Sequence, residues 1–201
     1  RGFNVIGGQS ESEPSLRPSI ETALHALMPH KFVLHVHAVN TIAISVLNNG
    51  KIIANNLLKD INWAWIPYVM PGIDLAKEVY SVIKENPDVI LLANHGLVVG
   101  GESAQQALDL LMLVEKKMTR VIRKTNLIDN TRLLSIIEKS KYRMPKYKIT
   151  HSIANDDLAL KSVKIGTLYP DHVIFLGPGP MNILSIDEFE HLIKKPFYAE
   201  N

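Results

Sequence analysis

Residues 89–93, Val-Ile-Leu-Leu-Ala, form an unbroken apolar run bounded by Asn86-Pro87 before it and Asn94-His95-Gly96 after it. A strand of this composition has no face to give to water, so it belongs inside a sheet covered on both sides. The run also places a histidine, His95, at the end of a buried strand, the position at which α/β proteins collect ligands.

The rest of the chain alternates between two periods. Residues 19–28 carry Ile20, Leu24 and Leu27 at helical spacing after Ser19 and stop at Pro29. Residues 32–37 alternate, with Phe32, Leu34 and Val36 on one face and Val33, His35 and His37 on the other. Val39, Ile42, Ala43, Val46 and Leu47 return to helical spacing until Asn48-Asn49-Gly50, which reads as a helix stop. Residues 51–72 are ambiguous apart from an aromatic strand at 63–68, interrupted by Pro67. Residues 73–85 predict a helix, and 97–99 continue the sheet. Ser103 with Gln106 makes a capping box for the clearest helix, 103–122, whose apolar face is Ala107, Leu110, Leu111, Val114, Met118, Val121 and Ile122. Beyond it, 129–140 predict a helix and 141–168 read as polar and irregular. Residues 171–176 read as a short strand before the 177–180 turn, and Ser185 with Glu188 caps a last helix to Lys195. Residues 1–18 read as loop, and Gly7-Gly8 lacks the strand and helix that a phosphate loop needs. Strands alternating with helices give the fold class α/β, as a layered domain.

Composition narrows the function. The 22 Lys+Arg balance 20 Asp+Glu, and no basic block accumulates, so the footprint of a nucleic-acid binder is missing. The basic stretch 116–124 reads as a solvated helix end that complements the helix dipole. Apolar runs are far shorter than the roughly 20 residues a bilayer needs, and the start is no signal peptide, so no membrane partner and a cytoplasmic location are expected. With no cysteine, any metal must sit on histidine and carboxylate.

Eight histidines are present, and their placement is informative. Side chains two apart on a strand share a face, so His35 and His37 stand side by side, a metal-ligand spacing that a solvent-facing pair of polar residues would also give. His95 at its strand end is a third candidate. Glu21, on the short helix before the His35-x-His37 strand and with His25 four residues later on the same face, is a fourth. Three imidazoles and a carboxylate suit Zn2+, with Mn2+ or another divalent ion as alternatives. Trp63, Trp65 and Tyr68 fit either a sugar pocket or the core, and His172 either a substrate contact or an ordinary structural histidine.

Glu21-Thr22-Ala23-Leu24-His25, His35-Val36-His37 and Asn94-His95-Gly96, followed by the 103–122 helix with Ala107 and Glu115, resemble the class II aldolase/adducin family over roughly residues 17–124. That family includes fuculose-phosphate and rhamnulose-phosphate aldolases, ribulose-phosphate 4-epimerases and the non-enzymatic adducin head. The resemblance implies a three-layer α/β/α sandwich with a largely antiparallel central sheet, assembled as a homotetramer. It implies His35, His37 and His95 as metal ligands, and Glu21 as a ligand of the resting metal or the catalytic acid/base. Ser19 and Asn94 fall at substrate-binding positions.

The implied reaction is cleavage of a ketose or ketose phosphate by a metal-dependent lyase through an enediolate stabilised by the metal. Epimerisation or dehydration on the same site is the alternative, and a non-catalytic, adducin-like interaction module is another. The chain departs from the phosphosugar enzymes in one respect. Of the serine pair that precedes the acidic residue only Ser19 is present, with Ile20 beside it, and the earlier phosphate-binding segments have no counterpart. The expectation is a single domain over 1–201 that lacks its N-terminal part, with 125–201 as a C-terminal extension packed on it.

Overall fold

A computed structural model of the chain describes residues 18–121, Thr131, Leu134, Ile137, Glu138, 143–152 and 156–177. The chain divides into two compact units, Arg1–Thr119 and Arg120–Asn201.

In the first unit, α1 (Thr22–Leu27), β1 (Phe32–Val36), α2 (Val39–Ser45), α3 (Gly50–Leu57) and β2 (Trp63–Ile66) are followed by α4 (Ile73–Val82), which runs into a 3-10 turn. Then come β3 (Val89–Leu92), β4 (Gly96–Gly101) and α5 (Ala104–Met118). The four strands form one sheet in the order β1-β4-β3-β2. β4 is antiparallel to both β1 and β3, while β2 runs parallel to β3, so the largely antiparallel sheet is a mixed one.

The apolar run behaves as its composition requires. β3 lies inside the sheet with all four residues buried, and its side chains divide between two cores. Val89 and Leu91, with Leu97 and Val99 of β4, pack under α2, α3 and α5 through Ile44, Ala54, Leu58, Val114 and Met118. Ile90, Leu92 and Val98 pack on the other face against α1 and α4 through Leu24, Met28, Leu75 and Val79. Each such buried side chain contributes about 1.5–3 kcal/mol relative to leaving it in water. The result is the α/β/α sandwich, with helices on both faces of the sheet.

Several local expectations change. The predicted helix at 19–28 is shorter, with Glu21 as its N-cap, because the hydroxyl and carbonyl of Ser19 hold the Glu21 and Thr22 amides in a turn. Gly50 opens α3 instead of simply ending α2. A Cβ there would run into the Ile44 backbone, so glycine lets the second helix start against the end of the first. The aromatic strand ends at Ile66, and Trp63 and Trp65 pack against the α2/α3/α5 core, whereas Tyr68 is exposed. α5 stops at Met118 because Thr119 turns to an extended ψ of 132°, and Val121 is 96% exposed instead of continuing the apolar face. Lys117 at that end makes an exposed two-oxygen contact with Asp60 at 2.8 and 2.9 Å.

In the second unit the short strand expected at 171–176 is a helix, Pro170–Leu176. Pro170 occupies the first turn, where its missing N–H costs nothing, and the run read as a strand lies on a seven-residue helix closed by Gly177 at φ 86°. The stretch 141–168 is not wholly irregular, since Asp157–Ile165 is helical and Asp156 caps it by accepting from the Ala159 amide at 2.8 Å. Thr131, Leu134 and Ile137 are helical, in keeping with the 129–140 prediction, most of which lies outside the described residues. The predicted helix from Ser185 to Lys195 and Gly7-Gly8 also lie outside them. No described helix is long and apolar enough to cross a membrane.

Candidate metal centre

The β1–β4 pairing puts His35 opposite Val98, so its side chain shares the sheet face covered by α1 and α4. His37 follows two residues later on the same face. His95 comes from the three-residue turn that joins β3 to β4, closed by the His95 amide donating to the Leu92 carbonyl at 3.1 Å. Asn94 takes the left-handed conformation in that turn, at φ 53°, which asparagine tolerates better than most residues. Gly96 follows because β1 passes directly over it. A Cβ at Gly96 would stand 2.6 Å from the Val36 carbonyl oxygen and 3.1 and 3.3 Å from ring carbons of His37 and His35. Each residue of Asn94-His95-Gly96 thus has a separate physical reason to be what it is.

Glu21 reaches the same point from the start of α1. Its Oε1 lies 3.2 Å from His35 Nε2 and 3.2 Å from His95 Nε2. Ligand atoms of Glu21, His35, His37 and His95 all fall within 4.8 Å of one another, and the three rings meet edge to face at 4.9–5.3 Å between centroids. Among the described residues no second group of this kind occurs.

The Nδ1–H of His35 donates to the Leu97 carbonyl at 3.1 Å, which leaves the Nε2 lone pair turned toward Glu21 and His95. Nε2 of His35 and Nε2 of His95 are buried and make no hydrogen bond, the contacts with Glu21 being poorly aligned for one. Two buried imidazole nitrogens and a carboxylate oxygen thus lie in close contact with no hydrogen bond to join the His35 and His95 Nε2 atoms to a partner, a donor set that a cation would hold together. Donors bound to one tetrahedral zinc at about 2.0–2.1 Å stand about 3.3 Å apart, which matches the 3.2 Å separations here. The residues therefore fit a divalent metal.

The electrostatics favour the ligating form. Burial pushes the His35 imidazole below its usual range, Glu21 opposing. Burial, followed by the neighbouring His35 and His37 rings, lowers His95 to about 4. Both are then neutral at pH 7, as a metal ligand must be. Their side chains are only 5% and 2% exposed, against 24% for Glu21, so the carboxylate stands nearer to solvent than either of these two rings.

Ser19 and Asn94, the other expected site residues, adjoin the cluster in the chain but are not among its ligand atoms. Ser19 is exposed, two residues before Glu21, and its hydroxyl accepts from the Glu21 amide at 3.2 Å. Asn94 adjoins His95 in the turn. His172 is buried in the second unit beside the Tyr169 ring. What sequence reasoning missed is the Leu97 carbonyl, a backbone group that carries no residue-type signal.

Residues 2–120 match the family described as Class II Aldolase and Adducin N-terminal domain. A protein of Bacillus subtilis (strain 168) described as uncharacterized oxidoreductase YuxG is 42% identical over 91 residues, which are 44% of this chain and 13% of that one. The N-terminal class II aldolase domain of a Thermoplasma acidophilum protein is 37% identical at a TM-score of 0.48, covering 54% of this chain and 49% of its own. A sugar-phosphate aldolase from Thermotoga maritima is 17% identical at a TM-score of 0.44, covering 63% of this chain and 57% of its own. The chain spans only part of the length of each.

Proposed function

The chain belongs to the class II aldolase and adducin family, and from that premise we propose that it is a divalent-metal-dependent lyase cleaving a carbon–carbon bond of a ketose or ketose phosphate. The observation that carries this reading is the convergence of Glu21, His35, His37 and His95 around two buried Nε2 atoms without hydrogen bonds.

In this reading His35, His37 and His95 hold the ion, Zn2+ first and Mn2+ or another divalent metal as alternatives. When bound, the ion supplies Lewis-acid neutralisation of the negative charge that appears on substrate oxygens as the bond breaks. Glu21 holds or moves the proton, because its carboxylate is more exposed than the His35 and His95 rings and lies 3.2 Å from both. The Leu97 carbonyl keeps His35 in the tautomer that leaves Nε2 free. Ser19, exposed next to Glu21, and Asn94, next to His95, contact the substrate. A cytoplasmic homotetramer acting on a small sugar or sugar phosphate completes the proposal.

The test combines metal analysis with a panel of ketoses and ketose phosphates whose products are followed by NMR. Wild type should carry or accept about one divalent ion per chain and release an aldehyde and a smaller ketone, and His35→Ala should do neither. Equal metal content in both proteins, or no effect of metal on either, would sink the reading. An epimer or a dehydrated product would keep the site and reassign the reaction.

A second reading is favoured by the Bacillus relative, whose description is an oxidoreductase. There the cluster would bind a hydroxy or carbonyl substrate for a redox step completed elsewhere in a longer chain. Turnover that depends on an added hydride carrier, with no carbon–carbon cleavage, would select it.

A further inference from the structure

The three histidines come from three different backbone settings. His35 lies within the paired part of β1 and is locked by the Leu97 carbonyl, and His95 is set by a three-residue turn. His37 lies one residue past Val36, the last paired position of β1, and two residues before α2. Its backbone therefore bridges the last paired residue of β1 and the start of α2, so whatever fixes the start of α2 bears on where His37 stands.

That start has no cap of its own. The N-cap residue is Ala38, which has no side-chain acceptor to offer the first-turn amides. The acceptor comes instead from Glu115, in the last turn of α5. Its Oε1 accepts from the Thr41 amide at 3.0 Å and the Thr41 hydroxyl at 2.8 Å. Its Oε2 accepts from the Asn40 amide at 3.3 Å and the Asn40 side-chain amide at 3.1 Å. Four donors of two adjacent residues converge on one carboxylate, and Thr41 is fully buried beneath it. A carboxylate at a helix N-terminus also meets the positive end of the helix dipole.

We propose that Glu115 is a positioning residue for His37: by capping α2 across the domain it fixes the Ala38 junction and with it the reach of the His37 imidazole into the ligand cluster. This rests on the metal reading above and deepens it. It makes α5 part of the metal centre's support, although no α5 side chain belongs to the ligand group.

The test titrates the metal-free full chain with Co2+, read by its visible absorption, for wild type, Glu115→Gln, Thr41→Val, His37→Ala and the double variant Glu115→Gln/His37→Ala. Glutamine keeps the size of the side chain but replaces one accepting oxygen by a donor. Glu115→Gln should weaken Co2+ binding about 10–100-fold and shift its spectrum, the usual cost of losing a group that supports a ligand. Thr41→Val, which removes one of the four bonds and leaves the carboxylate, should move affinity the same way by less, and reports if Glu115→Gln fails to fold. Glu115→Asp, with the charge restored, should recover part of the loss. In the His37→Ala background Glu115→Gln should change the residual affinity less than about twofold, since coupled residues are non-additive.

Val79→Ala, in the core under α4, lowers Tm without touching α2, and its Co2+ affinity sets the level that lost stability alone produces, which Glu115→Gln should exceed. If Glu115→Gln and Thr41→Val lower Tm yet bind Co2+ as wild type does, or if Glu115→Gln costs as much without His37 as with it, the proposal is overturned. Wild type that binds no Co2+ overturns the metal reading and this one together. Cobalt-binding wild type with indifferent variants overturns this one alone.

Discussion

The Nδ1–H of His35 donates to the carbonyl oxygen of Leu97 at 3.1 Å, although the strand partner of Leu97 is Val36. The imidazole thus leans along the strand to reach a neighbouring carbonyl, and its other nitrogen is presented to Glu21 and His95 without a hydrogen bond. Buried polar atoms left unpaired cost about 1–3 kcal/mol each. A cluster holding two of them is poorly stabilised by itself and gains from a cation.

The first prediction follows from that. Adding divalent metal to metal-stripped wild type should raise Tm, because a ligand that binds only the folded state adds about 4 kcal/mol at a thousand times its Kd. In His35→Ala the same addition should leave Tm unchanged. Calorimetry of both proteins with and without Zn2+ checks it.

Gly96→Ala places a methyl group against the Val36 carbonyl and the rings of His35 and His37. The obstructing atom is backbone, so relief requires β1 and β4 to part. We expect a loss of about 1–3 kcal/mol in urea unfolding, with metal affinity falling as well because both rings are displaced. Stability equal to wild type would show that the approach of β1 to Gly96 is looser than 2.6 Å.

For the metal-free protein the sign of the pH dependence is set by burial. His35 and His95 are harder to protonate folded than unfolded, so the unfolded chain binds protons first as pH falls. Their contribution to stability is complete above the unfolded value of about 6.5 and is lost progressively down to about 4, the folded value for His95. Urea midpoints at pH 7.5, 6, 5 and 4.5 should fall in that order. His95→Gln should flatten the decline, and an unchanged slope would remove His95 as its source.

Leu91→Ala removes a wholly buried side chain from the inner strand and should cost about 2–5 kcal/mol. Tyr80→Ala, on the exposed side of α4, should stay within about 0.5 kcal/mol. Paired urea titrations of the two variants test whether β3 carries the core.

Periodicity found the strands of the first unit because each of them is short and strongly patterned. It failed where two local signals competed. Gly50 carries the composition of a helix end, and only the close approach of α2 shows that it begins α3. Residues 171–176 read as a short strand, and the Pro170 first turn makes them a helix. Val121 fits the apolar period of α5 but lies beyond the turn at Thr119 that ends the helix.

By itself the sequence determined that residues 89–93 must be covered on both faces and that His35 and His37 share one side of a strand. Both follow from local chemistry, apolar composition in one case and the two-residue repeat of a strand in the other. Only the tertiary structure decided that Glu21 meets those histidines, that Leu97 orients one of them, and that Glu115 caps the helix following another. Those contacts join His35 to a carbonyl 62 positions away and Thr41 to a carboxylate 74 positions away. Separations of that length are closed by the packing of α2 and α5 on the sheet and by the register of β1 on β4, and no local period encodes either.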